Sequence, residues 1–390
     1  MPDDGALRHR WIDTQDALDE VVDALVPLER YALDTEFHRE RTYFPKLALV
    51  QIAWEADDGQ ELVLIDPLAV DVTVLGRLFA GDGVCVIHAA QQDLDVMHHS
   101  VGRVPNRIFD TQIAGGFTGY GTPSLVALLS GELGITPAKG DRLTDWLRRP
   151  LSDAQRRYAA VDVAYLLEVH DRQIAELGPT GRLGWVERAC EDLRTKPVSG
   201  AAPQDAWLRL KDARSLRPKG RAVAQAVAAW REQRAQRTDT PVRQVFPDLA
   251  VLGVAQRAPA NTKELAQARG VDERHSRGRL ADEILEAVRV GRSSEPPTAP
   301  RGNDDLDRSL RPAVTLVSAW VSQLARDERI DTALLGTRAD IVAFLRGDDD
   351  ARLANGWRAE LVGDAIRDLV EGRAGLTFDG EGRLELVNLA

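Results

Sequence analysis

Asp34 and Glu36 flank a threonine at the end of the apolar run Tyr31-Ala32-Leu33. On a β-strand they project from one face, roughly 7 Å apart along the chain. Carboxylates so placed repel each other unless a cation lies between them. A third acid, Asp93, follows a second apolar run, Val84 to His88, where a helix is due to begin. A fourth, Asp162, comes four residues after Tyr158, so the two share a helical face. Taken singly, each has an ordinary explanation: a solvated strand edge, an acid at a helix start, a half-buried core tyrosine. Together they form a hard-oxygen donor set without histidine or cysteine, which suits Mg²⁺ or Mn²⁺. Two such ions about 3.5–4 Å apart clamp the attacking and leaving oxygens of a phosphodiester. A tyrosine beside them can orient or deprotonate the attacking water.

These residues need a sheet and helices to hold them. Residues 31–37, 47–54, 62–65 and 84–88 read as strands, and 14–25, 92–101, 124–133 and 153–177 as helices. Ser152 followed by Gln155 is a capping-box pattern that starts the last of these. Strands come early and helices late, which predicts an α/β domain with a mixed sheet over residues 1–195. Two breaker-rich stretches, Thr195 to Pro203 and Ser293 to Asn303, read as linkers. They set off two all-helical domains, 203–292 and 304–390, the last ending in a hairpin.

The 390 residues are 44% hydrophobic and 28% charged, an ordinary globular composition, so wholesale disorder is excluded. Cys85 and Cys190 stand alone, which excludes a cysteine zinc site and a disulfide framework. No apolar run approaches the ~20 residues of a membrane helix, and the start carries no secretory signal. A soluble cytoplasmic monomer is expected. The net charge of −11 speaks against a nucleic-acid partner until it is divided along the chain. Residues 1–202 hold 20 basic and 32 acidic side chains, 203–292 hold 18 and 11, and 293–390 hold 12 and 18. The basic excess is confined to the middle block.

The strings Ala32 to Phe37, Arg41 to Pro45, Leu49 to Ile52, His88 to Leu94, Phe109 to Gln112, Thr144 to Leu151 and Tyr158 to Leu167 carry a resemblance. Over about residues 10–180 the chain closely resembles the ribonuclease D family of DEDD 3′→5′ exonucleases, in its tyrosine subgroup. That resemblance implies an RNase H-like fold, with Asp34, Glu36, Asp93 and Asp162 as ligands of two divalent ions, Mg²⁺ or Mn²⁺. It implies Tyr158 as the residue acting on the water, and nucleoside 5′-monophosphates as products. Ala206 to Lys211, Trp230-Arg231-Glu232 and Arg237 to Pro241 resemble the helicase-and-RNase-D C-terminal (HRDC) domain, a nucleic-acid-binding module. No G-x-x-x-x-G-K-[ST] loop occurs, which excludes a helicase and a bound nucleotide cofactor. Gly356-Trp357-Arg358 and Leu361 to Ile366 suggest that the third block is a divergent second copy of that module, with a packing or spacing role.

The expected partner is RNA at its 3′ end, with tRNA precursors and structured RNAs suggested by the family. Arg148, Arg149, Arg156 and Arg157 flank the helix of Tyr158 and are candidate phosphate contacts. Arg209 and Lys211, in the basic block beside Trp207, are candidates for tracking the backbone. His88 is a candidate substrate contact, weighed against a satisfied half-buried histidine. Asp95, Asp110 and Asp145 are set aside as caps or ion-pair partners. Two alternatives stand beside this reading: a DNA 3′→5′ exonuclease, and a catalytically silent nucleic-acid-binding scaffold.

Overall fold

The computed structural model describes residues 7–137, 144–196, 202–298 and 306–389. Six strands form one sheet: β1 (Arg10–Ile12), β2 (Arg30–His38), β3 (Lys46–Ala56), β4 (Gly59–Ile65), β5 (Val84–Ile87) and β6 (Ile108–Asp110). Their spatial order is β1-β4-β3-β2-β5-β6. β2, β3 and β4 are antiparallel neighbours, β5 and β6 continue in parallel from β2, and β1 lies parallel to β4. The sheet is mixed, as the sequence predicts. β3 is buried without interruption from Leu47 to Trp54, which marks a strand covered on both faces. β1 and β6 escape a sequence reading because three residues are too few to show a period of two.

Helices α1 (Gln15–Leu25), α2 (Gln91–Val101), α3 (Asp153–Ala164), α4 (Leu166–Leu177) and α5 (Leu183–Arg194) surround the sheet. α3 packs across β2, β3 and β4, and α2 packs on β2 and β3. The α3 capping box forms: Ser152 Oγ accepts from the Gln155 amide, and the Gln155 side chain accepts from the Ser152 amide. The single helix expected over 153–177 is in fact two, broken at Tyr165. There the Gln60 side chain donates to the Ala164 carbonyl at 2.7 Å, which supplies the partner that helix continuation would have given.

The middle block has its own core around α6 (Pro218–Thr238), α7 (Asp248–Arg257) and α8 (Gly278–Ser293). α6 and α8 approach so closely at Gly291 that an added Cβ would lie 2.6 Å from Val223 Cα. Trp207 is 2% exposed, so its ring belongs to this core and offers no stacking surface. The last block contains α9 (Arg311–Asp327), α10 (Arg338–Arg346), helical turns from Gly356 to Val370 and the antiparallel hairpin β7 (Ala374–Phe378) and β8 (Leu384–Asn388).

The three spans expected from composition pack around two principal cores. Val317, Trp320, Leu353 and Trp357 of the last block are continuous with the core beneath the sheet. Trp357 stacks on Trp185 with centroids 4.7 Å apart and meets Phe117 edge-on. Arg182 pairs with Glu328 at 2.7 Å, and Asp331 accepts from the Thr122 amide and hydroxyl. The junctions expected as linkers fall partly at 197–201 and 299–305, outside the described residues.

Candidate active site

β2 is an interior strand, so Asp34 and Glu36 open at the middle of the sheet rather than at its edge. α3 lies across that face and brings Asp162 down to them. Oxygens from Asp34, Glu36 and Asp162 all lie within 4.8 Å of one another. Asp93 stands beside this trio rather than within it. It sits in the first turn of α2, 6% exposed, and its Oδ1 accepts from Thr35 Oγ1 at 2.5 Å. Strand alternation sends Thr35 to the opposite side of β2 from its two acidic neighbours. The threonine thus anchors the fourth acid from the far face.

The electrostatics follow from that crowding. Burial, then the charges of Asp93, Asp162 and Glu36, hold the Asp34 carboxyl well above the usual carboxylate range. Burial pushes Asp93 up to about 7, against the opposing pull of the Thr35 hydrogen bond. Acids raised in this way favour a proton or a cation in their midst. The donors are carboxylate oxygens alone, the set that hard divalent ions prefer. The residues therefore fit the metal site that the sequence implies.

Tyr158 lies one turn before Asp162 on α3, half-buried, with its ring tilted against Trp146 at 6.1 Å between centroids. The four arginines near it divide. Arg149 is engaged inside the fold: Nε and Nη2 each reach Asp66 at 2.7 Å, and Nη2 also donates to the Ala48 carbonyl. Arg156 lies over the Trp11 ring, 4.5 Å from its centroid. These two brace the helix start within the fold. Arg148 and Arg157 are exposed. His88, at the end of β5, shares a hydrogen bond with Thr111 Oγ1 at 2.9 Å, and burial pushes its pKa down.

Arg209 pairs at 3.2 Å with Glu232, which is 1% exposed, while Lys211 is exposed. Of the acids set aside, Asp110 caps the helix that follows β6, and Asp95 pairs with Arg39 at 2.6 Å. Asp145 accepts from the Leu147 amide, and among the described residues no arginine pairs with it. A connection that the sequence did not reveal joins the site to the middle block. The loop after β2 is clipped there by Tyr43, whose hydroxyl donates to Glu232 at 2.6 Å. The Tyr43 and Phe44 amides both donate to Asp239. Phe44 in turn stacks on His99 of α2, 4.1 Å between centroids. Only the fold brings residues so far apart in the chain together here.

The family model described as 3′-5′ exonuclease matches residues 9–176, and that for the HRDC domain matches residues 220–288. A ribonuclease D of Jannaschia sp. is 37% identical over 90% of this chain and 92% of its own. The chain belongs to the ribonuclease D family. A ribonuclease D of Acidiphilium cryptum is 35% identical over 97% of both chains. The crystal structure of Escherichia coli RNase D, described as an exoribonuclease involved in structured RNA processing, superposes with a TM-score of 0.83. It is 29% identical, with 94% of this chain and 99% of that one covered. Membership of this family makes the chain a 3′→5′ exoribonuclease, a phosphodiester hydrolase with an HRDC domain behind its nuclease domain. Among the described residues no helix is long and apolar enough to cross a membrane.

Proposed function

We propose that this ribonuclease D family member removes nucleoside 5′-monophosphates from RNA 3′ ends with two divalent ions held by Asp34, Glu36, Asp93 and Asp162. The observation that carries the reading is the convergence of three carboxylates within 4.8 Å of one another, with Asp93 buried beside them. When bound, such ions acidify the attacking water and offset charge on the departing 3′ oxygen. The Tyr158 phenol, one turn from Asp162, orients that water by hydrogen bonding. Its reference pKa near 10 makes orientation the better role than proton abstraction. Arg148 and Arg157 contact the phosphates entering the site, and His88 contacts the terminal nucleotide as a neutral imidazole. Arg209 and Lys211 place the RNA strand on the middle block.

The natural substrates are tRNA precursors and other structured RNAs with 3′ tails, handled by a cytoplasmic monomer. The similarity to an RNase D that processes structured RNA supports this. The last block is a divergent second HRDC-like module. Both helical blocks run from a long helix through a one-turn helix to a medium one: α6, Val242–Val245 and α7 against α9, Thr332–Leu335 and α10. The test is degradation of a 3′-extended RNA in Mg²⁺. Asp34→Asn and Asp162→Asn each lower the rate about 100-fold or more. Full activity in either variant would overturn the assignment. A crystal soaked in Mn²⁺ separates two ions from one.

A further inference from the structure

Arg358 is out of the ordinary. It is 3% exposed, yet among the described residues no carboxylate pairs with it. Its Nε donates to the Leu334 carbonyl at 2.8 Å, and its guanidinium lies over the Trp357 ring, 4.2 Å from the centroid. Nη2 has no hydrogen-bond partner. Burial, aided by the Arg352 charge and opposed by those of Asp192 and Asp340, pushes its pKa down to about 10. A buried arginine left in this state is costly, and an anion brought within reach of the guanidinium would offset that cost.

Arg358 lines a cavity of about 480 Å³ at the seam between the nuclease block and the last block. Lys196 and Arg352 add positive charge to its wall, Arg352 while also pairing with Asp340 at 3.5 Å, and Gln112 adds an amide. Two acids also line it, Asp192 and Asp110. Asp110 is already engaged by the amides of Ala89, Ala90, Gln112 and Ile113. The volume lies in the range of small-ligand pockets. The cavity reaches the start of α2, the helix that carries Asp93. Gln91 lines it from the first turn of α2, and Asp93, two residues on, points away from it on the helix, toward Thr35.

We propose that this cavity is a phosphate-binding site, which takes the phosphate of a nucleotide against Arg358, Arg352 and Lys196. The phosphate comes from the RNA strand or from the released 5′-mononucleotide. Only this choice of ligand rests on the exonuclease reading; the binding itself needs no metal.

The test uses the full-length protein in EDTA, which silences any metal-held site. Inorganic phosphate, AMP and a phosphorothioate-ended RNA are titrated in turn by calorimetry. AMP or the RNA binds the wild-type protein, and Arg352→Gln and Lys196→Gln each weaken that ligand about fivefold to tenfold. Arg358→Met abolishes the binding, with circular dichroism confirming the fold. If Arg358→Met does not fold, the two rim variants carry the test. Loss confined to AMP identifies product as the source, with weaker product inhibition in the metal-loaded enzyme. Loss confined to the RNA identifies the strand. Unchanged affinity for both ligands in both rim variants overturns the proposal, as does an absence of binding to wild type at millimolar concentration. Asp34→Asn keeps the pocket intact, so failure here and failure of the metal assignment are read apart.

Discussion

Thr35 lies between two acids of the site but serves a third, since its hydroxyl is the bond that steadies Asp93. Removing that hydroxyl raises the Asp93 pKa further, because the largest of the hydrogen bonds that oppose burial is then lost. Thr35→Val is therefore expected to shift the acid limb of activity upward at limiting Mg²⁺ and to weaken metal affinity about tenfold. The wild-type limb itself should rise through about pH 7, where Asp93 loses its proton, and move down as Mg²⁺ is added. The same shift has a stability side. Asp93 and Asp34 hold protons more tightly folded than unfolded, so their contribution is full below the ordinary carboxylate pKa; the Asp93 share is lost as pH rises through about 7, and the Asp34 share as pH rises through its own raised value. Metal-free protein should melt lower at pH 8 than at pH 5.5, and Mg²⁺ should close that gap by stabilising the ionised site. The acids were legible in the sequence because alternation and the i, i+4 rule fix which side chains share a face. Thr35 was hidden by the same rule, which sends it to the other face, where only the packing of α2 gives it a partner. The roles of Arg149 and Arg156 were illegible because Asp66 and Trp11 are distant in sequence.

The loop between β2 and β3 connects the chemistry to the basic block. One end continues from Glu36, and its middle is held by Glu232 and Asp239. Asp239 sits in the left-handed region, φ 45°, at the end of α6, a geometry that turns its carboxylate toward the loop amides. Tyr43→Phe leaves the buried Glu232 with Arg209 but without its phenol, a loss of about 1–2 kcal/mol. Its expected effect is a several-fold fall in kcat/KM on tailed RNA and little change on a dinucleotide, which has no strand to reach the middle block. Equal losses on both substrates would assign Tyr43 a purely local role. The α3 capping box, the all-helical character of the middle block and the final hairpin were readable from periodicity and turn residues. The break at Tyr165 was not, since it depends on Gln60, a side chain on β4.

The net charge of −11 is compatible with an RNA substrate because its basic excess lies in one block and part of its acidity surrounds the metal site. Lys211, Arg217 and Lys219 are exposed there. Changing all three to Gln should lower the slope of log affinity against log salt by about 0.7 for each phosphate no longer neutralised. An unchanged slope would move the RNA to another surface. The last block behaves differently: its core is continuous with that of the sheet, so Trp357→Ala should cost about 3–5 kcal/mol and lower the melting temperature of the nuclease block with it. Composition showed where the chain changes character; it could not show that the first and last blocks share a core. The Trp357–Trp185 stack also bears on synthesis. A ribosome adding about 5–20 residues per second needs about 10–35 s to pass from Trp185 to Trp357. For that interval the nascent nuclease block carries a bare apolar face beside Phe117 while the middle block is made and folds on its own. Premature termination within the last block would leave that face permanently open to chaperones and proteases.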